Sequence, residues 1–390
     1  MTEKKFTVTQ PTRIHFGVNS IDDLAGQVRA LGGSRVLLVV DPGVVAAGML
    51  PRLTASLEAD SIPCTIHEKV DPEPGLKLAD GAAKLAKQNK CDCVIGAGGG
   101  SAMDVAKAVS ILLTNGGKAA DYIGLGKITK PGVPKIMVPT TAGTGAEVTF
   151  TAVFINEETS SKAGMNGDFL YPDAAILDPT LTLSIPPRVT AATGIDALTH
   201  ALEAYVSTQA HPLSDMYALE ALELIAANLG KACANGDNLA ARSNMLLGSL
   251  LAGKALATAG VGLVHAMAYP LGGMHKIPHG LANAVLLPYV MAYNLVGAPE
   301  RFATIAEMFG VDTSAMTPRE ASEAAVEAVY HLNDDVGIPK SLQELGIPRE
   351  DIPEMARIAL TVSRPVANNP RKPSLDEVMA VYEEAINGWE

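Results

Sequence analysis

Short apolar runs alternate with helix-period segments through the first half of the chain, and the alternation stops near residue 186. Val36-Leu-Leu-Val-Val40 is a five-residue apolar run closed by Gly32-Gly33 on one side and Asp41-Pro42-Gly43 on the other. A run apolar at every position, rather than at every second one, predicts a strand buried on both faces of a parallel sheet. Cys64–His67, Cys93–Gly96, Ile136–Pro139, Val153–Ile155 and Ala174–Leu177 read as further strands. Between them, Leu50–Ala59, Leu76–Asn89 and Met103–Thr114 carry apolar residues at three- and four-residue spacing, the signature of helices packed by one face. Strand–helix alternation of this kind predicts a parallel sheet covered by helices.

Past Ser184-Ile-Pro-Pro187 the strand signal disappears. Helical periodicity predicts helices over Thr190–Val206, Leu213–Asn228, Asn238–Ala257, Gly262–Tyr269, Pro299–Met308, Pro318–Asn333 and Leu375–Ile386. The fold expected is an α/β N-terminal domain with a parallel sheet, residues 1–186, followed by an all-α C-terminal domain, residues 187–390. At the N-terminus, Phe6–Thr9 and Arg13–Phe16 are read as a hairpin able to pair across a dimer.

Composition narrows the class. With 390 residues, 48% hydrophobic and 18% charged, the chain can bury two substantial cores. Its net charge of -12 argues against a nucleic-acid partner and against docking on anionic membranes, both of which need basic patches. No apolar leader and no run of eighteen apolar residues is seen, which leads to the expectation of a cytoplasmic protein with no membrane partner. Cys64, Cys91, Cys93 and Cys233 form no CxxC pair and are expected as reduced thiols.

Two loops carry candidate cofactor chemistry. Gly98-Gly-Gly-Ser101 lies between a strand and a helix, where backbone N–H groups at the helix N-terminus can cradle a pyrophosphate. It is not the GxGxxG fingerprint, and a plain tight turn is the alternative. Thr140-Thr-Ala-Gly-Thr-Gly145 follows a second strand and supplies hydroxyls. Asp41, at the end of the first strong strand, can accept from both ribose hydroxyls of NAD and repel the 2′-phosphate of NADP, or it can be a turn former. Lys162 is a lone cation suited to phosphate or ribose, or to solvent.

Metal chemistry is concentrated between Asp196 and His279. Asp196 and His200 are four apart, so a helix sets both on one face. His265 and His279 follow in apolar surroundings, and His15, His67 and His211 do not share that context. One carboxylate and three imidazoles suit a borderline divalent cation such as Fe2+ or Zn2+. HExxH, GxSxG and the P-loop are absent.

Taken jointly, Gly98–Ser101 with Asp104 and Lys107, Pro139–Thr149, Asp196…His200, His265…His279 and Asn369-Pro-Arg-Lys-Pro373 resemble the iron-containing, group III alcohol dehydrogenases over nearly the whole chain. That resemblance implies an NAD(H)- and metal-dependent oxidoreductase acting by hydride transfer on a small primary alcohol or aldehyde, as a homodimer or higher homo-oligomer. It implies Asp196, His200, His265 and His279 as metal ligands, with Asp41, Gly98, Gly99, Gly100, Ser101, Asp104, Thr140, Thr141, Thr144, Thr149, Lys162 and Leu181 as the cofactor set. Departures are informative. Tyr269 stands where many members carry a further His considered a proton relay, so Tyr269 and His275 become the relay candidates. Glu73 replaces a common Asn. Lys254, Arg364 and Lys276 raise the alternative of a small anionic aldehyde as substrate, and glycerol dehydrogenase-like polyol chemistry is a separate alternative within the same fold.

Overall fold

The structure, a computed structural model, describes residues 5–156 and 161–389. They divide into two compact units, Gln10–Ser184 and Ile185–Glu390 together with Met1–Thr9.

In the first unit the strands are β1 (Arg13–Phe16), β2 (Val36–Val40), β3 (Cys64–His67), β4 (Cys93–Gly98), β5 (Gly124–Leu125), β6 (Lys135–Pro139), β7 (Thr151–Asn156), β8 (Ser161–Asn166) and β9 (Ala174–Leu177). Its helices are α1 (Leu24–Ala30), α2 (Pro42–Ala46), α3 (Leu50–Ala59), α4 (Leu76–Gln88) and α5 (Gly100–Asn115). Six strands form one sheet in the order β1-β9-β6-β4-β2-β3, every neighbouring pair parallel. The apolar run of β2 is fully buried for the reason its pattern implies. Leu37 and Val39 enter a core shared with α4 and α5, while Val36, Leu38 and Val40 enter a second core with α1 and α3. Each such side chain contributes roughly 1.5–3 kcal/mol by leaving water.

The strand order places the ligand crevice. From β2 the chain moves through α2 and α3 to the edge strand β3, whereas from β4 it moves through α5 to β6 on the other side. The connections therefore diverge between β2 and β4, and a crevice opens at the C-terminal ends of those two strands. The register aligns Val40 with Ala97, so Asp41 and Gly98 leave the sheet side by side.

A small second sheet, β5-β8-β7, is tied to α5 by buried charges. Asp104 accepts from Val153 N–H (2.9 Å), and Lys107 donates to the Thr151 carbonyl (2.9 Å) and Thr149 Oγ1 (3.1 Å). Glu147 is buried nearby with no hydrogen-bond partner for Oε1.

The expected hairpin of Phe6–Thr9 with Arg13–Phe16 does not form. β1 instead runs parallel to β9, and Phe6 stacks on His211 within its own unit (4.1 Å between centroids). Strand propensity marks β1 as extended but does not select its partner, and β9 offers an open edge with free backbone groups. Pro11, between the two segments, also lacks an N–H for a hairpin ladder.

The second unit is helical: α6 (Pro187–Val206), α7 (Pro212–Ala234), α8 (Leu239–Ala259), α9 (Leu263–His275), α10 (His279–Asn294), α11 (Pro299–Met308), α12 (Pro318–Asp335), α13 (Ile352–Thr361), α14 (Ser363–Asn368) and α15 (Leu375–Asn387). Two departures from the sequence reading bear on the site. α9 continues past Tyr269 through Pro270 to His275, and the buried Tyr382 hydroxyl donates to the Met267 carbonyl (2.6 Å). α10 gives no period-3.6 stripe because it is apolar around its whole circumference and contains Pro288, so the sequence reading passed over it. It packs against α6, α9, α12 and α15. The stretch His279–Gly297 is long and apolar enough to cross a membrane, but 67% of it is buried inside the protein, as a core helix is.

Burial pushes the Glu147 carboxyl up from its ordinary 4.5 to about 7, with Lys107 offsetting part of the cost. The folded chain thus holds this proton more tightly than the unfolded chain, so its contribution to stability falls as pH rises between those two values. Glu147→Gln is expected to flatten the decline of Tm between pH 5 and 8 by a few degrees, at roughly 2–4 °C per kcal/mol for a unit of this size. A Tm–pH profile parallel to wild type shows that Glu147 is not the group responsible.

Candidate metal centre and coenzyme crevice

Three helices bring the acidic and imidazole side chains together. Asp196 is buried on α6, and one turn later His200 shares its face. His265 sits on the first turn of α9, and His279 opens α10. Asp196, His265 and His279 each offer a ligand atom, and these three atoms lie within 4.8 Å of one another. His200 stands beside them, its ring stacked on that of His265 with centroids 4.8 Å apart. The close approach depends on Gly280, where a Cβ would lie 2.7 Å from the Ala192 carbonyl of α6.

Electrostatics favour an ionised Asp196. Burial alone would raise its carboxyl, but the imidazoles of His200, His279 and His265 and the Asn283 amide outweigh it and hold it below the ordinary range. A carboxylate and imidazole lone pairs crowded into one buried spot are the donor set that a borderline divalent cation satisfies.

Two residues that the sequence reading did not single out organise this cluster. Glu203 is buried on α6, accepting from Val264 N–H with Oε1 (2.6 Å) and facing His265 Nδ1 with Oε2 (2.6 Å). With Nδ1–H donated to Glu203, the lone pair of His265 lies on Nε2, toward Asp196. Asn283, on α10, places Nδ2 2.6 Å from Asp196 Oδ1. The signal was helical spacing: Asp196, His200 and Glu203 stand at i, i+4 and i+7, and Asn283 is four after His279. The start of α9 is further anchored by Asn369, which accepts from Leu263 N–H (3.3 Å) and exchanges hydrogen bonds with Asn294.

The relay candidates separate. Tyr269 is one turn from His265, its ring 6.1 Å from that of His279. Burial, then the Glu203 and Asp196 carboxylates, raise its hydroxyl above the ordinary value, so it is a proton donor rather than an anion. His275 is ten residues beyond His265, about 15 Å along the helix axis. It faces Asp351 at 3.4 Å. His275 thus meets Asp351 at the far end of α9.

In the α/β unit, Asp41 Oδ1 caps α2 through Val44 N–H (3.0 Å), while Oδ2 accepts from Gly99 N–H (2.8 Å). Gly98 has φ +149°, and a Cβ there would sit 2.3 Å from Asp41 Oδ2, so only glycine fits. Asp41 thus braces the glycine turn as well as ending its strand. Thr141 and Thr144 flank the same turn: Cβ atoms on Gly99 and Gly100 would come within 3.8 Å and 3.0 Å of them. The Ser101 hydroxyl donates to the Pro72 carbonyl. Thr140 is buried at the same end of β6. Others of the expected cofactor set are engaged inside the fold. Asp104 and Thr149 serve the buried charge cluster. Burial pushes the Asp104 carboxyl up to about 6. Leu181 packs in the core shared by α1 and α3. Lys162 makes an ion pair with Glu73 (2.8 Å), which accounts for the acidic residue in place of the common Asn. Lys254 seats its ammonium 5.5 Å over the Tyr217 ring, and Arg364 is exposed.

A doubly wound coenzyme crevice in one unit and a carboxylate–imidazole cluster among helices in the other define a metal-dependent dehydrogenase. Family profiles agree: "Iron-containing alcohol dehydrogenase" matches residues 11–179, and "Fe-containing alcohol dehydrogenase family, C-terminal" matches residues 190–386. The chain belongs to the iron-containing alcohol dehydrogenase family. It is 44% identical over 381 residues to long-chain-alcohol dehydrogenase 1 of Geobacillus thermodenitrificans, covering 97% of this chain and 96% of that one. It is 41% identical to a 1,3-propanediol dehydrogenase of Klebsiella pneumoniae, over 99% of this chain and all of the other. The solved structure of a 1,3-propanediol oxidoreductase superposes with a TM-score of 0.96 at 40% identity, over 98% of this chain and 100% of that one.

Glu203→Ala leaves two buried donors without an acceptor, so it is expected to destabilise the protein by about 1–3 kcal/mol per donor. It should also weaken divalent-metal affinity roughly 10–100-fold. Urea unfolding and chelator competition measure the two effects. Wild-type affinity in a folded Glu203→Ala protein would show that Glu203 does not orient His265.

Proposed function

We propose that this enzyme transfers hydride reversibly between NAD(H) and a small primary alcohol or aldehyde, with Asp196, His200, His265 and His279 holding a divalent cation, Fe2+ in preference to Zn2+. The observation that carries the reading is the convergence of Asp196, His265 and His279 from three helices within 4.8 Å. When bound, the cation supplies Lewis acidity to the substrate oxygen and the nicotinamide exchanges the hydride.

The chain's own residues do the rest. Glu203 keeps the His265 lone pair on Nε2. Tyr269, protonated beside the carboxylates, serves as a hydrogen-bond donor to the substrate oxygen or its water. The Gly99–Ser101 turn, at the N-terminus of α5, offers backbone N–H groups to a pyrophosphate, with Thr140, Thr141 and Thr144 around it. The outer lone pairs of Asp41 take ribose hydroxyls and disfavour a 2′-phosphate. Lys162, partnered by Glu73, faces the same coenzyme. The four free thiols support a reducing, cytoplasmic setting. Phe16 and Val18, exposed by edge strand β1, support a self-associating homo-oligomer.

The similar proteins named above act on alcohols as unlike as long-chain alcohols and 1,3-propanediol, so similarity does not choose the substrate. Lys254 has a partner in Tyr217, which accounts for it without an anionic substrate.

NADH oxidation by anaerobically purified protein, with and without Fe2+ or Zn2+, across neutral and anionic aldehydes, tests the reading. Metal-dependent turnover is expected, and His265→Ala is expected to abolish it. Turnover by metal-stripped His265→Ala protein would overturn the proposal, and preference for sulfonated or carboxylated aldehydes would transfer it to anionic substrates. Asp41→Gly should narrow the preference for NADH over NADPH by about tenfold or more, equivalent to about 1.4 kcal/mol of charge repulsion. Because Asp41 also braces Gly99, KM should rise for both coenzymes. Unchanged discrimination would leave Asp41 as a brace alone.

A further inference from the structure

Asn283 is completely buried, and its amide is used unevenly. Nδ2 lies 2.6 Å from Asp196 Oδ1, 3.2 Å from His265 Nε2 and 3.2 Å from His279 Nε2. Those are side-chain atoms of the same three residues that converge as a candidate ligand set. Oδ1 is buried without a hydrogen-bond partner. Leaving a buried carbonyl unpaired costs about 1–3 kcal/mol, so packing alone does not explain an Asn here. An apolar side chain would avoid that cost.

Three electron-rich atoms this close repel one another when nothing positive stands among them. A primary amide directs two polarised N–H bonds into that space, and it does so from a helix that also carries a member of the set, one turn away. The partial positive charge of the NH2 group is a weak version of what a cation supplies. Because the amide is neutral and does not coordinate through nitrogen, it can hold the set together without competing strongly for the position.

We propose that Asn283 is a positioning residue that preassembles the metal ligands: its amide donor keeps Asp196, His265 and His279 gathered in the metal-free chain, so that a divalent cation meets a formed site. The proposal rests on the reading of these three residues as metal ligands. It separates Asn283 from a ligand, whose loss abolishes binding, and from core filler, whose loss does not distinguish loaded from metal-free protein.

The test compares wild type, Asn283→Leu and Asn283→Asp, each metal-free and loaded with Zn2+ or, anaerobically, Fe2+. The measurements are thermal unfolding and cation affinity by chelator competition. In Asn283→Leu the donor is gone, and cation affinity is expected to fall at least about tenfold, in the range seen when partners of metal ligands are removed. In Asn283→Asp an acceptor replaces the donor, so the metal-free protein should melt below wild type while the gain in Tm on adding Zn2+ becomes larger than wild type's. If Asn283→Leu fails to fold, the Asn283→Asp comparison and the milder Asn283→Ser decide the matter by the same two measurements. Wild-type affinity in Asn283→Leu, or equal Tm losses with and without Zn2+ in Asn283→Asp, would overturn the proposal. Failure of the wild-type protein to take up either cation would instead overturn the metal reading.

Discussion

A carboxylate buried among imidazoles is the constraint on which the helical unit depends. Asp196 is 3% exposed, and an isolated ion at that depth would be far too costly to keep. Its surroundings answer that cost from three directions. His200 comes from its own helix, His265 from α9, and His279 with Asn283 from α10. Each of these helices is in turn held where its contribution is needed. Glu203 and Asn369 fix the first turn of α9, Tyr382 binds its Met267 carbonyl, and Gly280 lets α10 approach α6. Bracing each contributing helix through its own buried hydrogen bonds is how a fold holds polar groups in fixed positions.

The α/β unit solves a different problem with the same economy of groups. Asp41 caps α2, accepts from Gly99, and forbids a side chain at Gly98. One carboxylate therefore sets the shape of the turn. On the proposed reading, in which Asp41 also meets the ribose, coenzyme selectivity and loop geometry are coupled through it. Beneath the crevice, Lys107 sits between Asp104 and Glu147 and ties the small sheet to α5. Of the residues that resemblance assigned to coenzyme binding, Asp104 and Thr149 also serve this scaffold, while Leu181 packs in the core shared by α1 and α3.

Strands and helices with a clear period were legible from the chain itself. β2, β4 and β6 are buried on both faces and read as unbroken apolar runs, and Pro299–Met308 could be delimited from its proline and its period. α10 was not legible: it is surrounded on all sides, so no polar face marks its turns, and its internal proline argues against a helix. β1 was legible as a strand but not as a parallel partner of β9, since pairing is decided by which edge lies open.

The sequence by itself determined the alternating half and the helical half, the acid and imidazoles that could gather on an ion, and the glycines required where backbone must turn. Those follow from local chemistry, from period, side-chain type and backbone freedom. Tertiary structure alone decided that His275 meets Asp351, that Lys162 pairs with Glu73, and that Glu203 and Asn283 reach the side chains of His265 and Asp196. These partners are brought together only when helices distant in sequence cross, and the cost of an unpaired polar group in a dry interior then selects which of them touch.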